Sequence, residues 1–190
     1  YQTAGLKADG TVWFWGCAGT GSTPDDWSCS DGCGTPALIT GLSRARGLAL
    51  GCYHGLAVTD EGQVWGWGNS FYGELGNTGS HFHTAQRIGG LSNIIAVAAG
   101  QYFSMALGSD GRVWAWGRNN RGQLGLGSSD GNSHSTPTLI PGVSNVICIA
   151  AKVDHAGAVH KDGSVWMWGD NHHGRLGLGY EDNNPHPTPQ

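Results

Sequence analysis

The stretch Asp110-Gly111-Arg112-Val113-Trp114-Ala115-Trp116-Gly117 decides the fold, because the chain says it four times. The other copies are Asp9-Gly10-Thr11-Val12-Trp13-Phe14-Trp15-Gly16, Gly62-Gln63-Val64-Trp65-Gly66-Trp67-Gly68 and Asp162-Gly163-Ser164-Val165-Trp166-Met167-Trp168-Gly169. Their closing glycines stand 52, 49 and 52 residues apart. A fixed period near 50 residues marks a repeat architecture. Whatever recurs in every copy reads as scaffold, including the Trp pairs. Whatever changes from copy to copy is where function is written.

Working outward, Asn93 to Gly100 is an apolar run ending in glycine, which predicts a buried strand. Gln101 to Leu107 predicts a second strand, Asp110-Gly111 a tight hairpin, and Arg112 to Gly117 the returning third. Alternation sends Trp114 and Trp116 to one face and Val113 and Ala115 to the other. Neither face is polar, so the sheet must be covered on both sides, as stacked blades are. Five residues after each Trp-Gly glycine comes Gly73-Glu74-Leu75-Gly76, Gly122-Gln123-Leu124-Gly125 or Gly174-Arg175-Leu176-Gly177. The leucine is expected to plug the core while the glycines turn the backbone. Thr136-Pro137-Thr138-Leu139-Ile140 supplies a fourth strand, and its proline suits an edge. Four strands per repeat is one propeller blade, so the fold class is all-β, a propeller. The repeats run approximately over 1–40, 41–90, 91–141 and 142–190.

Composition agrees. Glycine is 34 of 190 residues and charged residues only 13%, which suits short strands and many turns rather than helices. Net charge is −4 with no basic patch, so nucleic acid is not expected as a partner. The longest apolar run, Ile94 to Ala99, has strand length, far short of a membrane span. No signal-peptide pattern opens the chain.

Read in register, the third repeat is x-Ala-Leu-x-x-Asp-Gly-x-Val-Trp-x-Trp-Gly-x-Asn-x-x-Gly-Gln-Leu-Gly-x-Gly, from Ala106 to Gly127. It resembles the regulator of chromosome condensation 1 (RCC1) repeat, over essentially the whole chain. His54 and His155 match the family's usual histidine before the second strand, whereas Gln2 and Phe103 depart from it. The resemblance implies a propeller, generally seven-bladed, with blades of about fifty residues. Four copies amount to about four blades, and the expectation is a segment of a longer propeller rather than a half-ring that pairs with a second copy. The family's activities include guanine nucleotide exchange on a small GTPase, chromatin binding and inhibition of a bacterial enzyme. The acidic balance disfavours chromatin, and no residue here identifies exchange.

The first repeat departs: Gly-x-Leu-Gly is replaced by a segment holding Cys17, Trp27, Cys29 and Cys33. A disulfide among these cysteines, buried free thiols and a zinc site are the three readings, and zinc lacks a fourth ligand nearby. A disulfide favours an extracellular or cell-surface location. Cys148 aligns with Ala96 and is expected to be a small buried hydrophobe; Cys52 aligns with Gln101 and is open either way. His81 and His83 share a face if extended, but they fall in the least regular loop and read as polar filler. Asp130-Gly131-Asn132 and Glu181 to Asn184 read as turn formers, off the spacing of a calcium loop.

The segment after Trp-Gly varies most: Asn69-Ser70-Phe71-Tyr72, then Arg118-Asn119-Asn120-Arg121, then Asp170-Asn171-His172-His173. Stacked blades would bring these segments to one rim. Phe71, Tyr72, Arg118, Arg121, His172, His173 and Trp27 are therefore the partner-binding candidates, since interface anchors are enriched in aromatics and arginine. Enzyme signatures and cofactor motifs are absent from the sequence, and no metal set is expected. The function expected is a non-catalytic scaffold for a protein partner. The alternatives are a structural protein that self-assembles, and a glycan-binding domain.

Overall fold

The computed structural model describes residues 2–16, 34–79 and 81–190, with His81 and His83 described by their backbone alone. Cys17, Trp27, Cys29 and Cys33 lie outside the described residues. The described residues form four antiparallel sheets. The first holds β1 (Gln2–Leu6), β2 (Val12–Gly16) and β3 (Ala37–Leu38). The second runs β4 (Ala45–Leu50), β5 (His54–Thr59), β6 (Val64–Asn69), β7 (His81–Arg87). The third runs β8 (Ile94–Ala99), β9 (Phe103–Gly108), β10 (Val113–Arg118), β11 (Ser133–Leu139). The fourth runs β12 (Val146–Lys152), β13 (His155–His160), β14 (Val165–Asp170), β15 (Pro185–His186). The first strands β4, β8 and β12 adjoin one another, so the sheets fan out from a shared inner edge as propeller blades do.

Three cores hold the sheets together, each shared by two neighbouring blades. On β10, Val113 and Ala115 face the core shared with the fourth sheet, while Trp114 and Trp116 face the core shared with the second. Both faces are apolar because both are covered. The two tryptophans of a pair are not equivalent. The second, Trp67, Trp116 or Trp168, is buried to 1% exposure or less and enters the core of the preceding blade. The first, Trp13, Trp65, Trp114 or Trp166, is half-buried. Trp15, on β2 of the first sheet, is half-buried too. Leu75 and Leu124 fill the same cores at 1% and 0% exposure, as their phrase suggests.

Polar bonds fasten the blades at both rims. At the hairpin rim, the amides of Ala45, Ile94 and Val146 donate to the carbonyls of Gly10, Gly62 and Gly111 in the preceding blade, at 3.0, 3.1 and 3.0 Å. At the opposite rim the Trp116 indole donates to the Glu74 carbonyl at 2.7 Å, and the Trp168 indole to that of Gln123 at 3.0 Å. Trp67 faces the first repeat, where the Gly-x-Leu-Gly phrase is missing, and its buried Nε1 has no acceptor among the described residues.

Two expectations are corrected. Cys148 is exposed, not a buried hydrophobe. Its counterpart Ala96 is packed by the following blade, whereas among the described residues no further sheet covers β12. His81 and His83 also fall not in a loop but on β7, where His81 pairs with Asn69; in the fourth repeat β15 completes the sheet. His186 pairs with Gly169, and Gln190 and Met167 exchange backbone bonds, at 2.8 Å from the Met167 amide and 3.2 Å from that of Gln190.

Candidate functional site

The segments after Trp-Gly share the rim opposite the hairpins, beside the turns that join the first two strands of each blade. Gly68, Gly117 and Gly169 all pair with the residue that opens the second strand: His54, Phe103 and His155. Their neighbours Tyr53 and Tyr102 occupy the same place in consecutive blades and stack at 5.1 Å with rings 15° from parallel. Tyr72 meets Tyr102 edge-on at 5.0 Å, and Phe71 meets Tyr72 edge-on at 5.3 Å. The Arg118 guanidinium lies over both Tyr72, at 5.1 Å, and Tyr102, at 5.5 Å, within cation–π range. Burial, then the Tyr53 hydroxyl, push the Tyr102 phenol up to about 12. Phe71 caps this stack yet remains 70% exposed.

Of the candidates, Phe71, Tyr72 and Arg118 are thus brought into one cluster. Arg121 and the two histidines form an adjoining group. Arg121 Nη1 donates to the Asn183 carbonyl at 3.3 Å, and His172 Nδ1 lies 2.7 Å from Asn183 Oδ1. The His172 and His173 rings are 4.0 Å apart and line a pocket with Glu181, Asp182 and Asn183. Among the described residues no group of three or more His, Cys, Asp or Glu side chains is arranged to hold a metal ion. Asp130 and Asp182 are turn formers: each accepts from a histidine four residues on, His134 or His186, at 3.0 Å. Tyr53, Tyr102 and Glu74 were not singled out in the sequence. The signal for the first two was available, since Gly51-x-Tyr53 and Gly100-x-Tyr102 recur at one place in the repeat.

Glu74 is the hub beneath the cluster, fully buried. Its carbonyl accepts from Trp116 Nε1 and from Ser104 Oγ at 2.8 Å. The Ser104 proton being so used, His54 Nε2–H donates to Ser104 Oγ at 3.0 Å, which leaves the buried His54 Nδ1 without a partner. Of the Glu74 carboxyl, Oε2 accepts from the Tyr72 amide at 2.8 Å and Oε1 is unpartnered. In the third repeat a glutamine makes the equivalent bond, the Arg121 amide donating to Gln123 Oε1 at 2.8 Å.

Burial pushes the Glu74 carboxyl up to about 7 and the His54 imidazole down to about 4. Folded Glu74 keeps its proton to higher pH than the unfolded chain does. Its contribution to stability is full below about pH 4.5 and is lost as pH rises to about 7. His54 runs the other way: its contribution is full above about pH 6.5 and is lost as pH falls to about 4. Each is on the order of 3 kcal/mol, and the two oppose each other between these limits. Glu74→Gln removes one side of the balance. Urea unfolding of that variant is expected to show about 3 kcal/mol more loss than the parent between pH 7 and 4.5. Equal pH slopes in variant and parent would refute the assignment.

Residues 61–107, 110–159 and 162–189 match the family model described as the regulator of chromosome condensation (RCC1) repeat, and a second model of that repeat matches 46–74, 94–123 and 146–175. The chain belongs to the RCC1 repeat family. The E3 ubiquitin-protein ligase HERC2 of Mus musculus is 31% identical over 185 residues, which is 94% of this chain and 4% of that protein. Among solved structures, Prp20p of Saccharomyces cerevisiae, described with its binding to Gsp1p and histones, superposes with a TM-score of 0.82 at 22% identity, over 100% of this chain and 48% of that one. Human WBSCR16 superposes at 0.79 with 24% identity, over 100% of this chain and 50% of that one. The chain therefore spans a small part of HERC2 and about half of each of these two solved structures. These likenesses show the RCC1 propeller fold, which the four sheets display.

Proposed function

We propose that this RCC1-family chain is a non-catalytic scaffold that binds a protein partner through the rim of its second and third blades. One observation carries the reading: Phe71 is 70% exposed on a base of three tyrosines and an arginine that are themselves locked together. A large exposed aromatic on a pre-organised platform loses little conformational entropy on binding, which is the character of an interface anchor. Prp20p, a relative with this fold, is described with two classes of protein ligand, which supports the reading without naming a partner here.

The test places the photo-crosslinking residue p-benzoylphenylalanine at position 71 and, separately, at Lys161 on the hairpin rim. Discrete protein adducts are expected from position 71 and not from 161. Phe71→Ala with Tyr72→Ala is expected to weaken capture of the identified partner about tenfold or more while circular dichroism shows the variant still folded. A partner whose adducts map to the hairpin rim, or whose capture ignores both substitutions, would refute this placement.

A further inference from the structure

Among the described residues the rim carries a cation without an ionic partner. Arg44, Arg112 and Arg175 each lie within 3.1 Å of a carboxylate: Asp60 and Glu61, Asp110, and Asp170. Arg118 makes no ion pair among the described residues, and its guanidinium donates to no acceptor there; its contacts there are the two tyrosine rings. Among the described residues the Arg121 guanidinium donates only to the Asn183 carbonyl, at 3.3 Å. Asp154 is the carboxylate whose charge both arginines feel, but one of its oxygens accepts from the Gln123 amide at 2.9 Å. Burial raises the Asp154 carboxyl in spite of the arginines.

The Arg118 guanidinium, held 5.1 and 5.5 Å from the two ring centroids, keeps an N–H edge for a further acceptor. That edge matches a carboxylate in a two-point bond, the strong form of the pair. The tyrosines have already ordered the arginine, so little side-chain entropy remains to be lost on binding. Phe71, edge-on to Tyr72 at 5.3 Å, offers apolar contact beside the charge. With a net charge of −4, the chain repels a polyanion at long range, while a short acidic segment meets a local positive edge.

We propose that Arg118, seconded by Arg121, seats a carboxylate side chain of an acidic protein segment whose adjacent apolar residue packs on Phe71. The proposal rests on the reading of this rim as the binding surface and adds the chemistry of what binds.

The probe is a display library of random twelve-residue peptides panned on the whole chain, with a (dT)20 oligonucleotide run in parallel. Selected peptides are expected to be rich in Asp or Glu next to an apolar residue. Their affinity should fall about tenfold or more in Arg118→Gln with Arg121→Gln, and by a similar factor when the peptide carboxylate is replaced by its amide. Arg118→Lys keeps the charge and should recover only part of the loss. Unchanged unfolding midpoints show that the variants fold. Peptides that need Phe71 and Tyr72 but ignore both arginines would overturn this inference and leave the proposed function standing. Peptides indifferent to all four residues, or none recovered, would overturn both. Oligonucleotide binding lost in Arg118→Gln would replace the carboxylate with phosphate and overturn the inference.

Discussion

Trp116→Ala is expected to lower stability by about 4–5 kcal/mol and to split one unfolding transition into two. Trp116 is fully buried in the core between the second and third blades, among Leu56, Leu75, Ile88 and Ala106. Truncation leaves a cavity that the sheets cannot close without sliding, because the hairpin rim holds them by the Ile94 amide on the Gly62 carbonyl. It also removes one of the two donors to the buried Glu74 carbonyl. In a repeat array, cooperativity lives in the interfaces between neighbours, so loss of one interface lets the two sides melt apart. Trp116→Phe separates packing from hydrogen bonding. It keeps most of the buried area and loses the indole N–H, for an expected cost of about 1–2 kcal/mol. Trp67→Phe should cost less than that, because Trp67 Nε1 has no acceptor among the described residues to lose. Urea denaturation followed by tryptophan fluorescence and by circular dichroism reads all three. One unsplit transition with Trp116→Ala, and a loss under about 1.5 kcal/mol, would show that this core does not couple the blades.

Gly122→Ala is expected to cost about 4 kcal/mol, and Gly174→Ala only about 1 kcal/mol, although both occupy the same place in the Gly-x-Leu-Gly phrase. Both have positive φ, +72° and +65°, so a methyl group pays the left-handed penalty at either position. Their surroundings differ. A Cβ at Gly122 would stand 2.6 Å from Pro187 Cα and 2.8 Å from its nitrogen, which is backbone of the next blade. A Cβ at Gly174 would meet nothing nearer than the Tyr180 carbonyl at 3.7 Å. Relief at Gly122 has to move Pro187, whose carbonyl accepts from the Gly127 amide at 2.9 Å. The clash therefore spreads across the blade interface rather than into a side chain. Thermal unfolding of the two variants side by side tests the comparison. Equal losses at the two positions would mean that the turn alone, and not the neighbouring blade, demands glycine there.

Most of the strand plan could be read directly. The period of 2 through Val113 to Gly117, the Asp-Gly hairpin and the leucine of Gly-x-Leu-Gly all describe local preferences, and local preferences survive into the fold. The rim candidates were legible in part. Phe71, Tyr72 and Arg118 stood out because they interrupt a constant phrase. Tyr53 and Tyr102 did not, because each stands in the turn just before the second strand of its blade, and nothing local shows that two such turns stack. Glu74 looked like an ordinary turn residue. Its importance comes from burial under a neighbouring blade, and no window of sequence around it contains that blade. Cys148 differs from Ala96 for the same reason: the core shared with the following blade packs against Ala96, and no window of sequence around Cys148 shows that such cover is lacking among the described residues.

The sequence by itself determined the repeat, the strands within it and the demand that both faces of each sheet be covered, since these follow from periodicity and from the lack of a polar face. Only the tertiary structure decided which copy of a residue is buried. Val64, Val113 and Val165 stand in one phrase, yet they are exposed to 0%, 0% and 60%, because the first two have a following blade against them and the third has none among the described residues. The tertiary structure likewise assembled the rim. Tyr53, Tyr72, Tyr102 and Arg118 come from four separate segments of two blades, and blade stacking alone brings their rings and charge within about 5 Å of one another. Packing between repeats is a long-range property, and a repeat that looks the same in sequence acquires its chemistry from its neighbour.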